Sequence, residues 1–223
     1  MQQKYFSTKK LTLFAMFAAL AYVIVMLFKL FPIPLFPAAS FLTYEPKDVI
    51  ITIAGFLFGP LASAIISLVV SLVEMFTVSD TGPIGALMNF LSTCSFSCTA
   101  ALIYKKIHTG KGALLGLLCG SLAMIAVMLL WNWLITPIYM GYPREAVEAM
   151  LVPVFLPFNA IKAGLNSAVT LFLYKPLVNA LRRARLVDSA PTPKTGSKLG
   201  LYLVAATLLI SCILFVLVLR GIL

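Results

Sequence analysis

The chain has 223 residues, of which 61% are hydrophobic and only 11% charged, and its mean hydropathy is +1.04. Soluble domains contain roughly 45–50% apolar residues, so this composition excludes an ordinary soluble domain and predicts an all-α, polytopic membrane helix bundle. The net charge of +10 does not indicate nucleic-acid binding, because the positive residues lie beside apolar runs without a basic, aromatic-containing face.

Apolar runs of about 20 residues predict membrane-spanning helices. The first run follows Lys9 and Lys10 and is too long for the apolar core of a secretory leader, so we predict a helix there. The second and third runs meet at Gly59 and Pro60, a pattern that fits either one broken helix or two helices with a tight turn. The predicted spans are 10–30, 42–58, 60–78, 83–104, 112–136, 151–179 and 199–220.

The distribution of positive residues decides between these alternatives. Twelve of the 17 Lys and Arg residues form three groups, and the positive-inside rule places all three groups in the cytoplasm. Two helices around Gly59 satisfy this requirement, so we predict a cytoplasmic N-terminus and a short second helix with Pro46 in its first turn. The groups are Lys4, Lys9 and Lys10; Lys105, Lys106 and Lys111; and Lys175, Arg182, Arg183, Arg185, Lys194 and Lys198.

Two connecting segments differ sharply in composition. Residues 31–45, FPIPLFPAASFLTYE, are external and apolar, and their three prolines exclude a regular helix. Because a solvated linker would be polar, we predict a lid that folds back over the membrane face. Residues 186–198 are polar and predict a cytoplasmic linker to a last helix, 199–220, which has almost no polar residue and would face lipid or a partner.

Polar residues within the sixth run are candidate functional residues. At about 100° per residue, Asn159, Lys162, Asn166 and Thr170 fall within about 80° of arc on one helix face. We predict that this stripe lies in the outer part of the bilayer, just inside Pro157, and faces a cavity. The alternatives are a Lys162 side chain that snorkels to the outer interface and a purely structural interhelical network.

Two further amides lie near the predicted outer ends of other helices. Asn132 stands between Trp131 and Trp133, and it is either a pocket amide or an incidental member of an interfacial aromatic belt. Asn89 is either a pocket residue or an interhelical hydrogen-bonding group. These polar residues gather near the outer face of the membrane, whereas the inner halves of the predicted helices are apolar. A channel would need polar residues at every depth, so the pattern predicts an outward-open cup that captures a ligand.

Acidic and hydroxyl residues accompany these amides. Thr43 and Tyr44, followed by Glu45 and Asp48, lie where the lid meets the second helix. We predict that these four residues contribute to the ligand-binding site. For the two acids, Glu45 and Asp48, the alternative role is N-terminal capping and stabilisation by the helix dipole. Near the end of the third helix, Glu74 and Asp80 are interpreted as mainly interfacial.

Motifs for catalysis and metal binding are absent from the sequence. There is no phosphate-binding loop and no HExxH motif, and His108, the only histidine, is in a predicted cytoplasmic loop. Cys94 and Cys98 share a helix face without a neighbouring His or carboxylate, so we interpret them as packing residues. We therefore predict a chain that is not an enzyme and holds no metal, and that either acts as a passive carrier or receives its energy from partners.

Several segments are similar to the substrate-binding (S) components of energy-coupling-factor (ECF) vitamin transporters, especially their riboflavin-specific group. The resemblance covers about residues 8–183 and is most specific in LPFNAIKAGLNSAVTLFLY. The first helix also has the Ala-x-x-x-Ala pattern, at Ala15 and Ala19. The other matching segments are FLTYEPKDV, GFLFGPLAS, GPIGALMNFLS and NWLITPIY.

The resemblance implies a six-helix binding domain over residues 1–183, in which the first external loop closes the pocket. Asn159 and Lys162 match residues that contact the isoalloxazine ring, Asn132 matches a pocket amide, and Thr43 and its neighbours match the lid edge. Residues 184–198 would then be a linker, and residues 199–223 an additional transmembrane helix that departs from the family pattern.

The family also implies partners and a transport mechanism. Ala15 and Ala19 would couple the chain to a membrane scaffold subunit that carries two ABC ATPases, and the S component would topple in the plasma membrane as ATP is hydrolysed. Riboflavin would be the transported ligand, with no cofactor. The alternatives are an S component for another vitamin or small metabolite, in which Lys162 and Arg144 or Lys47 would bind an anion, and a structural membrane protein without a ligand.

Overall fold

A computed structural model of the chain describes residues 7–36, 39, 42–187 and 198–222. The prediction about Lys4, most of the predicted linker and four residues of the predicted lid lie outside these ranges. Regular structure within the described residues is helical, which confirms the all-α prediction. The helices are α1 Thr8–Leu30, α2 Lys47–Phe58, α3 Pro60–Thr77, α4 Gly82–Lys106, α5 Gly110–Leu134, α6 Thr136–Met140, α7 Arg144–Met150, α8 Leu156–Arg183 and α9 Lys198–Leu219.

Six helical segments among the described residues are long and apolar enough to cross a membrane, as expected for a polytopic bundle. They are α1, α3, α4, α5, the continuous segment Arg144–Arg183 and α9. Helix α2 has only 12 residues, about 18 Å at a rise of about 1.5 Å per residue, so the helix alone is shorter than a hydrocarbon core of about 30 Å. It nevertheless runs from the lid-side end of the bundle, where Lys47 contacts Glu74 near the end of α3, to the turn at Gly59 at the opposite end. The predicted second span was too long, because its helix begins only at Lys47.

Helix α2 begins at Lys47 rather than at residue 42 because the preceding chain is extended. Thr43 pairs with Pro34 in an isolated antiparallel bridge, and Pro46 is the N-cap of α2 rather than part of its first turn. At the other end, Gly59 has φ 96°, a conformation that favours glycine, and Pro60 starts α3. The prediction of two helices with a tight turn at this point is confirmed.

The sixth predicted span, 151–179, was wrong at both ends. A π-helical turn, Leu151–Phe155, joins α7 to α8, and α8 then continues through Pro176 to Arg183. Pro157 is in the first turn of α8, directly after this π-helical turn. The short helices α6 and α7 occupy most of the connection between the predicted spans 112–136 and 151–179.

Small residues allow close packing between α4 and α5. A Cβ atom added at Gly116 would lie 2.7 Å from the Ala100 carbonyl oxygen, and one at Gly120 would lie 2.5 Å from that of Phe96. Close approach at small residues is the usual way in which membrane helices gain packing contacts. Helix α2 lies in the centre of the bundle, with ten consecutive buried residues from Lys47 to Phe56.

The described lid residues, 31–36, 39 and 42–46, pack across one end of the bundle. Leu35 N donates to Leu42 O at 3.2 Å, and the buried side chains of Phe36 and Tyr44 belong to an apolar cluster that also contains Phe158 of α8. At the same end, Lys29 of α1 forms an exposed ion pair with Asp80, with 2.6 Å between Nζ and Oδ2. We call this the lid end of the bundle.

Candidate ligand-binding site

A cavity of about 250 Å³ lies at the lid end, between the lid and the ends of α1, α3, α4, α5 and α8. Its volume is close to the lower limit of about 300 Å³ that is usual for small-molecule sites. Both apolar and polar side chains line it. They are Val25, Lys29, Leu42, Thr43, Glu45, Glu74, Val78, Ser79, Asp80, Thr81, Met88, Asn89, Ser92, Met128, Asn132, Phe155, Phe158, Asn159 and Lys162.

Lys162 lines this cavity and does not extend into the lipid. Its side chain is 12% exposed, and Nζ lies 3.9 Å from Asp48 Oδ2, which is close enough for attraction but too long for a hydrogen bond. A snorkelling lysine would expose its ammonium group, so this geometry argues against that alternative. An ammonium group has three N–H donors, and these remain available for a ligand because Lys162 makes no hydrogen bond to a described residue.

Asn159 and Asn132 line the cavity from α8 and α5. Asn159 Nδ2 donates to Phe155 O at 2.7 Å, and Asn132 Nδ2 donates to Met128 O at 2.7 Å. Asn132 Oδ1 also accepts from Thr136 Oγ1 at 3.0 Å. Because each amide has two N–H hydrogens and two oxygen lone pairs, both side chains keep hydrogen-bonding capacity after these local bonds, which fix their orientation.

Asp48 is fully buried behind Lys162, where it connects three helices and the lid. Its Oδ1 accepts from Thr93 Oγ1 at 2.6 Å, and its Oδ2 accepts from Asn166 Nδ2 at 3.1 Å. Asn166 Oδ1 in turn accepts from the Tyr44 hydroxyl of the lid at 3.0 Å. Burial and the Asp48 carboxylate raise the pKa of the Tyr44 phenol, so it stays protonated and donates.

The alternative role of Asp48 is therefore wrong as to N-terminal capping, although Asp48 does lie in the first turn of α2, where the helix dipole favours a carboxylate. No side chain caps the start of α2, and the Asp48 carboxylate is bound by α4 and α8 instead. Thr43 and Glu45 line the cavity, whereas Tyr44, Asp48 and Asn166 lie behind its wall. The polar stripe of α8 thus contributes Asn159 and Lys162 to the cavity wall, and Asn166 to the hydrogen-bond network behind it.

A second buried ionic group forms another wall. Lys47 Nζ lies 2.7 and 2.6 Å from the two carboxylate oxygens of Glu74, and 3.4 Å from Glu45 Oε2. Asn89 Nδ2 donates to Glu74 Oε2 at 2.9 Å, so Asn89 both lines the cavity and forms the interhelical bond that was its alternative role. The interfacial interpretation of Glu74 is wrong, because this residue is only 3% exposed.

Sequence reasoning considered Lys47 only as a second cation for an anionic ligand and missed its buried ion pair with Glu74, although one signal was present. A lysine in the first turn of a helix is unfavourable next to the positive end of the helix dipole. Such a residue therefore needs an acidic partner, and Glu74 supplies one from α3. Arg144, the other proposed second cation, lies over the Trp133 ring at 5.4 Å and does not line the cavity.

The described cavity wall has no excess of positive charge. Lys29 and Lys162 contribute cations, and Glu45, Glu74 and Asp80 contribute carboxylates. Apolar walls come from two phenylalanines, two methionines, two valines and a leucine. This combination suits a neutral, largely apolar ligand with a few hydrogen-bonding groups better than an anion, which would attract a net positive site.

Ala15 and Ala19 lie away from the cavity. Both are exposed on the outer surface of α1, so they do not serve the packing of the bundle itself. The four cysteines are free and partly buried within helices, and the described residues contain no cluster that could hold a metal ion.

Known proteins similar to this chain agree with one another. Residues 9–174 match the family model described as "ECF transporter, substrate-specific component". The riboflavin transporter RibU of Staphylococcus aureus is 34% identical over 182 residues, which cover 78% of this chain and 93% of that protein. The riboflavin transporter FmnP of Bacillus subtilis is 28% identical, over 80% of this chain and 98% of that protein.

A solved structure has the same architecture. It is described as "Structure and mechanism of the S component of a bacterial ECF transporter", and it aligns with a TM-score of 0.64 and 32% identity, over 79% of this chain and 99% of that one. The matched proteins are transport components, which confirms that the chain is not an enzyme. The family model covers well over half of the sequence. The chain belongs to the family of substrate-specific S components of ECF transporters.

Proposed function

We propose that this chain binds riboflavin with high affinity in the lid-end cavity and captures it from outside the cell. The observation that carries this proposal is the position of Lys162, whose ammonium group lines the cavity and makes no hydrogen bond to a described residue. The names of two relatives, both riboflavin transporters, support the choice of ligand.

Riboflavin fits the chemistry of this cavity. Its isoalloxazine ring is flat and neutral, with carbonyl and imide groups along one edge. Phe155 and Phe158 offer apolar faces for such a ring, Lys162 donates to a ring oxygen or nitrogen, and Asn132 and Asn159 pair with the imide edge. The hydroxyl groups of the ribityl chain would find partners among the remaining polar side chains of the wall.

The buried network behind the wall supports this binding. Asp48 holds the Lys162 ammonium group in place by charge, and Asn166 connects Asp48 to Tyr44. Thr43, next to Tyr44, lines the cavity. The lid and the ligand-binding lysine therefore depend on the same buried carboxylate, and the pocket closes with the lid in this position.

Transport requires partners. We propose that the exposed alanines of α1, Ala15 and Ala19, contact a membrane scaffold subunit, and that two ABC ATPases supply the energy. The chain would lie in the plasma membrane with its N-terminus in the cytoplasm and the lid end outside, as its positive charges predict. Residues 1–183 form the binding domain, 184–198 the linker and 199–223 an additional membrane helix.

Quenching of riboflavin fluorescence by the purified protein tests this function. We expect saturable quenching at submicromolar ligand and a yellow preparation if the vitamin remains bound during purification. Absence of quenching at micromolar riboflavin would reject the proposal.

The second candidate is an S component for another vitamin. A panel of competing vitamins distinguishes the two, because only flavins should displace riboflavin. A structural protein without a ligand would show no binding in either experiment, and replacement of Lys162 or Asn159 would then affect folding alone.

A further inference from the structure

Helix α9 lies beyond the segment that matches the family model, yet it packs directly on the binding helix. A Cβ atom added at Gly164 would lie 2.7 Å from Cys212 Sγ, so the absence of a side chain lets α9 approach α8 two residues after Lys162. Nearer the N-terminus of α9, the rings of Phe172 and Tyr202 stack with centroids 6.0 Å apart. Helix α9 is therefore docked along much of its length.

The C-terminal half of α9 also contacts the lid. An apolar cluster joins buried lid residues to Phe158, Ile161 and Leu165 of α8, and α9 packs against this cluster. The lid residues of the cluster are Leu35, Phe36, Ala39 and Tyr44, and the α9 residues are Leu209, Cys212, Val216 and Leu219.

One polar contact ends this interface. The Arg220 guanidinium donates to the backbone carbonyl of Pro34. Pro34 pairs with Thr43, and Thr43 lines the cavity. Arg220 is thus two contacts away from the ligand site, and the lid cannot move away from the cavity in one piece without breaking its bond to α9.

We propose that α9 is a clamp that positions the lid over the cavity, and that Arg220 is a positioning residue for ligand retention. This proposal rests on the proposed function, because it requires the cavity to hold the ligand. Contacts made only with the closed lid slow release of the ligand more than they slow its entry. The clamp therefore acts mainly on the dissociation rate.

Stopped-flow measurement of riboflavin release by the full-length protein tests the clamp. Because the bond between Arg220 and Pro34 is exposed to solvent, its loss predicts dissociation only about three- to tenfold faster in Arg220→Ala, with the association rate within about twofold of wild type. Arg220→Lys keeps a cationic hydrogen-bond donor and should therefore restore slow release. If Arg220 served only the folding of the protein, the presence of a donor at this position would not restore the release rate.

A second pair of variants tests the apolar part of the clamp. Val216→Ala combined with Leu219→Ala removes contacts with the lid cluster, and it should also speed release. Leu214→Ala combined with Val218→Ala removes the same number of atoms from side chains that are 48% and 55% exposed, and it should leave the rate unchanged.

The outcomes separate the two proposals. If wild type binds riboflavin but Arg220→Ala and the Val216/Leu219 variant both release it at the wild-type rate, the clamp is wrong and the proposed function stands. If wild type does not bind riboflavin, the proposed function fails and the clamp with it.

Discussion

The buried ion pair between Lys47 and Glu74 gives a sharp prediction about stability. The two side chains are 2% and 4% exposed, and both carboxylate oxygens lie within 2.7 Å of the ammonium nitrogen. Glu74→Met keeps the approximate volume but leaves the buried Lys47 charge without its closest carboxylate, so that its shortest remaining ion-pair distance to a described residue is 3.4 Å, to Glu45 Oε2. Removal of one partner of a buried pair typically costs about 3–5 kcal/mol.

Thermal unfolding in detergent, without ligand, measures this cost. For a chain of this size, about 2–4 °C are lost per kcal/mol, so Glu74→Met should lower Tm by about 6–20 °C. The matched control is Asp80→Asn, which breaks an ion pair whose carboxylate is 84% exposed, and which should have little effect because such pairs contribute at most about 1 kcal/mol.

A double variant completes this test. Lys47→Met combined with Glu74→Met removes both charges, so it should be more stable than Glu74→Met alone. If Glu74→Met is as stable as Asp80→Asn, or if the double variant is the least stable of the three, the pair is not the desolvated charge pair described above.

Two further predictions concern packing and the lid. Gly116→Ala should destabilise the protein by about 1–3 kcal/mol, because the added Cβ would meet the α4 backbone. Gly200→Ala is the control: its Cβ would meet nothing within 4 Å, so it should not destabilise the protein. Thermal unfolding compares the two variants. Tyr44→Phe should cost about 0.5–1.5 kcal/mol through loss of its bond to Asn166, with the exposed Tyr142→Phe as a neutral control. Because the folded-state pKa of Tyr44 is raised, wild-type stability should fall more steeply than that of Tyr44→Phe as pH rises above about 10, and equal slopes would contradict this assignment.

Apolar run length and charge distribution were enough to predict most of the helices. Both follow from the thickness and electrostatics of the membrane, which act on each segment separately. The start of α2 was missed because it depends on the pairing of Thr43 with Pro34, a contact between residues nine positions apart. The π-helical turn before α8 was likewise not visible in the hydrophobic pattern.

For the polar residues, too, the sequence pattern does not show contacts between residues that are distant in the chain. A helical stripe predicted that Asn159 and Lys162 share a face, and both line the cavity. It could not show that Asn166, one turn further along, bonds to Asp48 and Tyr44, because those partners are more than 100 positions away in sequence. Glu74 was misinterpreted for the same reason: its partner Lys47 lies on a different helix.

The most direct test of the account is the riboflavin Kd of Lys162→Met compared with that of Lys111→Met. Lys111 is exposed near the start of α5, at the end opposite Asn132. Loss of a charge-assisted hydrogen bond to the ring should raise Kd by about 10- to 150-fold in Lys162→Met, while Lys111→Met should bind like wild type. Equal Kd values for the two variants, with both proteins folded, would contradict the assignment of this cavity as the riboflavin site.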